Sequence, residues 1–415
     1  MKLIENTSEL ISFCQELNRK PFIAVDLEFL REKSYYAKLC LIQVAAPDTA
    51  AIIDPLAPGI ELEAFFAVLH NPEVVKVFHS GRQDIEIIYH QAGFIPEPLF
   101  DTQTAAQVFG FGEAISYENL VKTILGIQLD KSCRLSDWSL RPLDAKQLEY
   151  ALSDVTHLVP VYEHLRGKLA ESGRGHWLDE EFAALADPET YIVHPEDVWQ
   201  KIKHRSHNGR LLTVLRELAA WRERRAQSKD TPRQSIIRDD CLLNIAAACP
   251  DCREDLEKIR NIRKDVVTGK LGEEILEVIQ KAVKIPPSAY VKPEHEKMLP
   301  VGAAALYELL RLLLKIRSQE QGVIPRLIAS DDDLKRLAVF SDRKNPVLRG
   351  WRFEIFGRDA VALREGKLSI SYDAEHHALK LAKKPGTDPG FVLPICKADY
   401  TNCPAAAKSS APFRF

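Results

Sequence analysis

The sequence predicts an α/β domain over its first two hundred residues and an all-helical half behind it. Two observations carry this. Up to about residue 190, short runs rich in Ile, Val, Leu and Phe alternate with stretches of helical periodicity, as strands interleaved with helices do. Beyond residue 200 the strand-like runs give way to leucine-rich helical stripes, and one arrangement of residues occurs twice.

Residues 7–19 carry Leu10, Ile11, Phe13, Cys14 and Leu17 on a helical stripe that Thr7 or Ser8 can cap. The run FIAVDLEF at 22–29 reads as a buried strand. Residues 39–45 and 51–53 read as further strands, parted by a turn at Pro47 and Asp48. A helix is predicted over 61–70, a strand over 74–78 and, after His79, Ser80 and Gly81, a helix over 82–91. More helices are predicted from Phe100, over 118–125, and over 148–165 as one continuous element.

Asp26 and Glu28 interrupt the first of these strands. Side chains two apart in a strand share a face, so the two acids project together while Leu27 points away. Neighbouring carboxylates in an apolar strand repel each other and lose hydration unless a cation joins them. Their hard oxygens suit Mg²⁺ or Mn²⁺. Taken alone, such a pair is more often a strand edge whose acids reach water. Asp84 falls in a helical first turn, where the helix dipole by itself accounts for an acid. That helix follows a buried strand, however, where an α/β fold places its sites. Tyr150 and Asp154 lie four apart on one helical face; a core Tyr beside a surface Asp is the alternative.

In combination these residues resemble the three motifs of the DEDD exonuclease superfamily, in the subgroup that has tyrosine where others have histidine. The surrounding text is more similar still to the bacterial ribonuclease D family. DLEFLR (26–31), Tyr35, Tyr36 and LCLIQ (39–43) look like its first motif, and VFHSGRQD (77–84) like its second. DKS (130–132), SDW (136–138) and RPL (141–143) lead into the third, YALSD (150–154).

The resemblance implies a ribonuclease H-like exonuclease domain, a mixed central sheet flanked by helices, over residues 1–200 with a linker. It implies removal of nucleotides one at a time from RNA 3′ ends, with release of 5′-monophosphates. Asp26, Glu28, Asp84 and Asp154 are then the metal ligands, and with Tyr150 the catalytic set; Asp26 is the candidate to bridge two ions. Two divalent cations about 4 Å apart can clamp the attacking and leaving oxygens of an in-line phosphoryl displacement. Tyr150 is assigned to orienting the attacking water, because a phenol of ordinary pKa ~10 is a poor base.

Other residues are candidates for RNA contact. Phe29 can wedge against a terminal base or belong to the core. Tyr35 and Tyr36 can stack on single-stranded bases or pack beneath their hairpin. His79 reads more readily as structural. Lys131, Arg134 and Arg141 can hold phosphates or be solvated loop charges.

Residues 171–200 hold eight Asp/Glu against one Arg and read as a linker, whereas 201–238 hold eleven Lys/Arg against three Asp/Glu. A basic helix is often only a solvated face. One carrying WRERR (221–225), with Arg222 and Arg225, behind a nuclease points instead to a nucleic-acid backbone. Leu218, Trp221, Arg222, Arg225 and Ala226, then Pro232, Arg233, Ile236, Asp239 and Asp240, resemble the HRDC domain, a helical module that assists nucleic-acid binding. Pro325, Arg326, Ile328, Asp331, Asp332, Leu334 and Ala338 repeat the pattern with a one-residue shift. Two all-α HRDC-type domains are therefore expected, at 201–288 and 289–365. By resemblance they form a ring or funnel with the nuclease. Residues 366–415 are expected to hold a short hairpin (368–372 with 378–381) and a disordered tail.

A net charge of −3, with 46% hydrophobic and 28% charged residues, gives no global bias towards nucleic acid, so a basic surface must be local. The N-terminus lacks a signal-peptide pattern and no apolar run is long enough to span a membrane. Eight scattered cysteines suit a reducing cytoplasm. Cys249 and Cys252 form the lone C-x-x-C, a helix-connecting turn in preference to a metal site. The chain is expected to act as a monomer, away from membranes, on tRNA precursors and other structured small RNAs with a single-stranded 3′ end. A DNA or short-oligonucleotide exonuclease is the enzyme alternative. A catalytically dead adaptor would lack one of the four acids, and all four are present.

Overall fold

The computed structural model describes residues 2–383 apart from 131, 135, 293–298 and 340–343. Lys131 and the tail expected to be disordered lie outside the described residues. The chain divides into two compact units, Met1–Glu296 and Lys297–Phe415.

The first unit begins with the α/β domain. Its strands are β1 (Leu3–Ile4), β2 (Phe22–Leu30), β3 (Lys38–Ala46), β4 (Thr49–Ile53), β5 (Val75–Phe78) and β6 (Leu99–Asp101), in the sheet order β1-β4-β3-β2-β5-β6. The sheet is mixed: β3 runs antiparallel to both β2 and β4, while β2, β5 and β6 run parallel. Alternation decides the layers. Ile23, Val25 and Leu27 of β2 and Ile42 and Val44 of β3 pack against α1 (Thr7–Leu17), α2 (Glu63–His70) and α3 (Arg82–Ala92). Leu41 and Ile52 on the opposite face pack with Trp138 and with Ala151 of α6 (Ala145–Thr156). The helices α4 (Thr102–Gln107) and α5 (Tyr117–Leu125) precede α6, and α7 (Leu158–Ser172) and α8 (Asp179–Ala186) follow it.

Two expectations are corrected here. The helix predicted over 148–165 is two helices, parted at His157. Pro160 explains the break, since its ring would collide with the carbonyl four residues back and it has no N–H to continue the ladder. It is tolerated in the first turn of α7, where N–H groups lack intrahelical partners anyway. The helix predicted from Phe100 starts only at Thr102: Leu99–Asp101 is a strand, and the Asp101 carboxylate caps α4 by accepting from the Thr104 N–H at 2.9 Å.

The same unit continues into a helical module: α9 (Gly209–Lys229), α10 (Arg233–Ile236), α11 (Asp239–Ala248), α12 (Arg253–Glu257), α13 (Lys264–Thr268) and α14 (Lys270–Ala282). Its core joins Leu215, Leu218 and Ala219 of α9 to Leu242 and Ile245 of α11 and Ile275 and Ile279 of α14. Cys249 ends α11 in the left-handed conformation and Cys252 precedes α12, so the C-x-x-C is the turn between two helices.

The second unit opens with α15 (Val301–Gln321), α16 (Pro325–Ile328) and α17 (Asp331–Val339), spans of 21, 4 and 9 residues. The first helical module opens with 21, 4 and 10. Next come α18 (Gly350–Arg352), α19 (Arg358–Arg364) and the antiparallel hairpin of β7 (Leu368–Asp373) and β8 (Ala378–Lys383).

Candidate active site

Three elements bring the acids together. β2 presents Asp26 and Glu28 on the face towards α6, and α6 presents Tyr150 and Asp154 one turn apart. Asp144 sets the start of α6 through a capping box, its carboxylate accepting from the Gln147 N–H at 2.8 Å while the Gln147 side-chain oxygen accepts from the Asp144 N–H at 3.0 Å. Oxygens of Asp26, Glu28 and Asp154 all lie within 4.8 Å of one another.

Asp84 lies in the first turn of α3, which follows β5; the pairing of Ala24 with Val77 brings the C-terminal end of β5 beside the middle of β2, next to Asp26. The turn between β5 and α3 is tightly built. Ser80 adopts φ +57°, and a Cβ on Gly81 would sit 2.4 Å from Cβ of Phe78. Asp101 holds the turn by accepting from the Gly81 N–H at 2.8 Å.

All four acids line one cleft of about 480 Å³, with Phe29, His79, Gln83, Gln103, Tyr117, Glu118, Asp130, Arg134 and Tyr150. Its electrostatics are those of anions crowded out of water. Burial pushes Asp26 up to about 7. Burial and then the charges of Asp26, Asp154 and Asp84 push Glu28 up to about 9. Asp154 rises to about 8 through burial and Asp26, against a lowering hydrogen bond from Tyr150. Asp84 also lies well above the ordinary carboxylate range, through burial first. Such a set binds protons or a cation. Hard anionic oxygens without His or Cys are the donors that Mg²⁺ and Mn²⁺ take.

Tyr150 has its phenol raised by burial and by the charges of Asp154, Glu28, Asp26 and Glu118. It therefore keeps its proton more firmly than a free phenol and is less available as a base. Its ring stacks at 6.1 Å on buried Trp138.

The remaining candidates separate. Phe29 lines the cleft and also leans on the core below the sheet. His79 has both ring nitrogens engaged, with Thr102 Oγ1 at 3.0 Å and the Ile115 carbonyl at 3.1 Å, and so supports the wall. Arg134 lines the cleft. Arg141 is corrected to a structural role. Its five N–H groups meet both Asp54 oxygens (2.5 and 2.6 Å) and the carbonyls of Cys40, Trp138 and Leu140 (2.8 Å each).

Tyr35 and Tyr36 turn towards the protein. Their backbone N–H groups donate to Asp230 at 3.0 and 2.9 Å, and the Tyr36 ring meets His90 at 4.7 Å. Arg222 is corrected as well: it is 1% exposed and donates to the Ile237 carbonyl and to Asp239. Arg225 binds both Glu274 oxygens, tying α9 to α14. Part of the basic charge in this stretch is thus paired within the fold, while Lys201, Lys203, Arg205, Arg210, Lys229 and Arg238 are exposed.

Asp101 and Tyr117 carry no sequence signal beyond a capping acid and an aromatic residue in a helical first turn. Yet the Tyr117 hydroxyl donates at 3.0 Å to the carbonyl of Ser153, the residue before Asp154.

Residues 1–170 match the family described as 3′-5′ exonuclease and residues 212–279 the HRDC domain. Ribonuclease D of Nitrobacter hamburgensis is 44% identical over 373 residues, 90% of this chain and 97% of that protein. Ribonuclease D of Zymomonas mobilis is 43% identical over 385 residues, 92% and 98% of the two chains. The crystal structure of Escherichia coli RNase D, an exoribonuclease involved in structured RNA processing, superposes with a TM-score of 0.76 at 28% identity, covering 88% of this chain and 98% of that one. Acids on β2, after β5 and on α6, an exonuclease match over them and relatives alike from end to end agree: the chain belongs to the ribonuclease D family of 3′-5′ exoribonucleases.

Proposed function

We propose that this exoribonuclease shortens tRNA precursors and other structured small RNAs from a single-stranded 3′ end, with two divalent ions, Mg²⁺ or Mn²⁺, held by Asp26, Glu28, Asp84 and Asp154. The observation that carries the metal assignment is the convergence of Asp26, Glu28 and Asp154 oxygens within 4.8 Å in a cleft that also holds Asp84. When bound, divalent cations supply charge neutralisation to the phosphate and lower the pKa of water.

The chain's own residues do the rest. Tyr150 orients the attacking water by hydrogen bonding and keeps its own proton; a tyrosine in the third motif supports membership of the tyrosine subgroup. Phe29, at the end of β2 and lining the cleft, offers the terminal base an apolar edge. The lineup of α15, α16 and α17 with α9, α10 and α11 supports a second HRDC-type domain in residues 289–365, with the nuclease domain and linker at 1–200 and the first HRDC domain at 201–288. RNA phosphates meet the exposed cations of 201–238 in preference to the paired ones. The chain works as a monomer in the cytoplasm, a setting that suits its free thiols at Cys14, Cys40, Cys133, Cys241, Cys249 and Cys252.

The test incubates the protein with 3′-tailed tRNA precursor, matched DNA and dinucleotides, in Mg²⁺, Mn²⁺ or EDTA. Stepwise 3′ shortening of RNA, abolished by EDTA, is expected. Equal trimming of DNA, or a preference for dinucleotides, overturns the substrate assignment, and activity in EDTA overturns the metal site.

A further inference from the structure

Gln43 lies at the middle of β3, opposite Asp26 on one side and Ile52 on the other. Directly opposed residues in antiparallel strands share a face, with Cβ atoms about 4.5–5.5 Å apart. The Gln43 side chain therefore enters the layer between sheet and α6 beside Asp26. Leu41, Ile52, Trp138 and Ala151 make that layer apolar. Gln43 is 0% exposed, and neither its Nε2 nor its Oε1 has a hydrogen-bond partner among the described residues.

A buried amide without partners gives up its hydration with no hydrogen bond in return, a cost to the fold. A Leu or Met here would match its neighbours without that cost, so the fold gives no reason for the amide. The adjacent acid does. An ionised carboxylate accepts at two oxygens, roughly four lone-pair sites, and a cation does not occupy them all. The Gln43 amide carries two N–H donors within side-chain reach of it.

We infer that Gln43 is a positioning residue for the metal site, its Nε2 donating to the ionised Asp26 carboxylate and fixing that carboxylate's orientation towards a divalent cation. The role rests on the metal-site reading given above. Groups that orient metal ligands in this way change metal affinity by roughly 10–100-fold when removed.

The experiment uses the full chain, stripped with EDTA, as wild type, Gln43→Met and Gln43→Leu. Mn²⁺ is titrated calorimetrically, thermal unfolding is followed without metal, and kcat and KM are measured on 3′-tailed RNA. In Gln43→Met the metal-free midpoint equals or exceeds wild type, Mn²⁺ binding weakens tenfold or more, and kcat falls with KM for RNA unchanged. Gln43→Leu repeats the pattern if Met packs poorly. Mn²⁺ affinity within twofold of wild type overturns the proposal. So does a loss of metal-free stability in both variants, which marks a core amide serving the fold alone. A wild type that fails to bind Mn²⁺ overturns the metal site itself, and this inference with it.

Discussion

The Tyr35 hydroxyl donates a 2.5 Å hydrogen bond to Oε1 of Glu223, joining the hairpin after the acidic strand to the first helix of the HRDC domain. Glu223 is fully buried and also meets Arg233 at 3.3 Å, while Gln227 donates to the same hydroxyl at 3.3 Å. Asp230, in the left-handed conformation at the end of α9, accepts from the backbone N–H groups of Tyr35 and Tyr36. The segment running out of Asp26 and Glu28 is therefore shaped by a helix about two hundred residues further on. The HRDC domain thus holds the hairpin that follows the acidic strand.

Tyr35→Phe tests that coupling. It keeps the ring and removes the donor to a buried carboxylate, a loss of about 1.5–3 kcal/mol. Denaturant unfolding is expected to shift to a lower midpoint while RNA affinity of the folded protein is unchanged. An unaltered midpoint with weaker RNA binding would restore a direct contact between Tyr35 and RNA.

Arg222 and the exposed cations are expected to part company. Arg222→Met removes bonds to the Ile237 carbonyl and to Asp239, destabilising the protein by about 1–3 kcal/mol and leaving the salt dependence of RNA binding alone. Changing Lys203 and Arg210 together to Glu is expected to weaken RNA binding and to flatten its logarithmic salt slope by about 1–2. Filter binding across a salt series separates the two. A flattened slope in Arg222→Met would return that side chain to the RNA interface.

The gathering of Asp26, Glu28, Asp84, Tyr150 and Asp154 in one cleft was legible only in combination: periodicity pairs Asp26 with Glu28 and Tyr150 with Asp154, and the resemblance to three motifs added Asp84 and outweighed the blander roles. The mixed sheet and its flanking helices followed from the same periodicities and the resemblance. The cations were not legible. A row of Arg on a helix looks the same in sequence whether it faces water or, as Arg222 does, a carbonyl and an acid contributed from beyond the helix. Arg141 likewise reads as a loop charge until Asp54 and the Cys40 carbonyl arrive from β4's end and β3. Long-range pairing decides these residues, and local pattern carries no trace of it. The break at His157 was legible in principle, through Pro160.

Gly81→Ala tests the turn that carries Asp84. The added Cβ would lie 2.4 Å from Cβ and 2.7 Å from Cγ of Phe78, so β5 or α3 must shift. Overpacking of this kind costs about 1–3 kcal/mol. Weaker Mn²⁺ binding is expected alongside the stability loss, because Asp84 moves with the start of α3. Wild-type Mn²⁺ affinity in a destabilised variant would separate the turn from the site.

Stability without metal is expected to fall as pH rises. Asp26, Asp154 and Glu28 titrate in the fold at about 7, 8 and 9, against roughly 4 in an unfolded chain. Between those limits the folded state holds more protons than the unfolded one, so the stabilisation present below pH ~4 is lost through pH ~9. The EDTA-treated protein should melt lower at pH 8.5 than at pH 5.5. Mn²⁺ should restore the midpoint more at the higher pH, and Asp26→Asn should flatten the metal-free dependence. A metal-free midpoint that climbs from pH 5.5 to 8.5, more steeply than in Asp26→Asn, contradicts the protonated cluster.

Tyr150→Phe isolates the phenol. The ring's stacking on Trp138 survives the change, so the fold and RNA affinity are expected to stay as they are. What goes is a hydroxyl one helical turn before Asp154, raised in pKa by burial and by four acids, and so unable to serve as a base near neutrality. If that hydroxyl orients the attacking water, kcat drops by about 100- to 1,000-fold, the range seen when one positioned hydrogen-bond donor is removed from an active site. KM for RNA holds. The pH profile discriminates further: loss of an orienting donor lowers the curve without moving its limbs, whereas loss of a general base would remove the limb on which that base ionises. Single-turnover rates from pH 6 to 10, in wild type and Tyr150→Phe, decide between them.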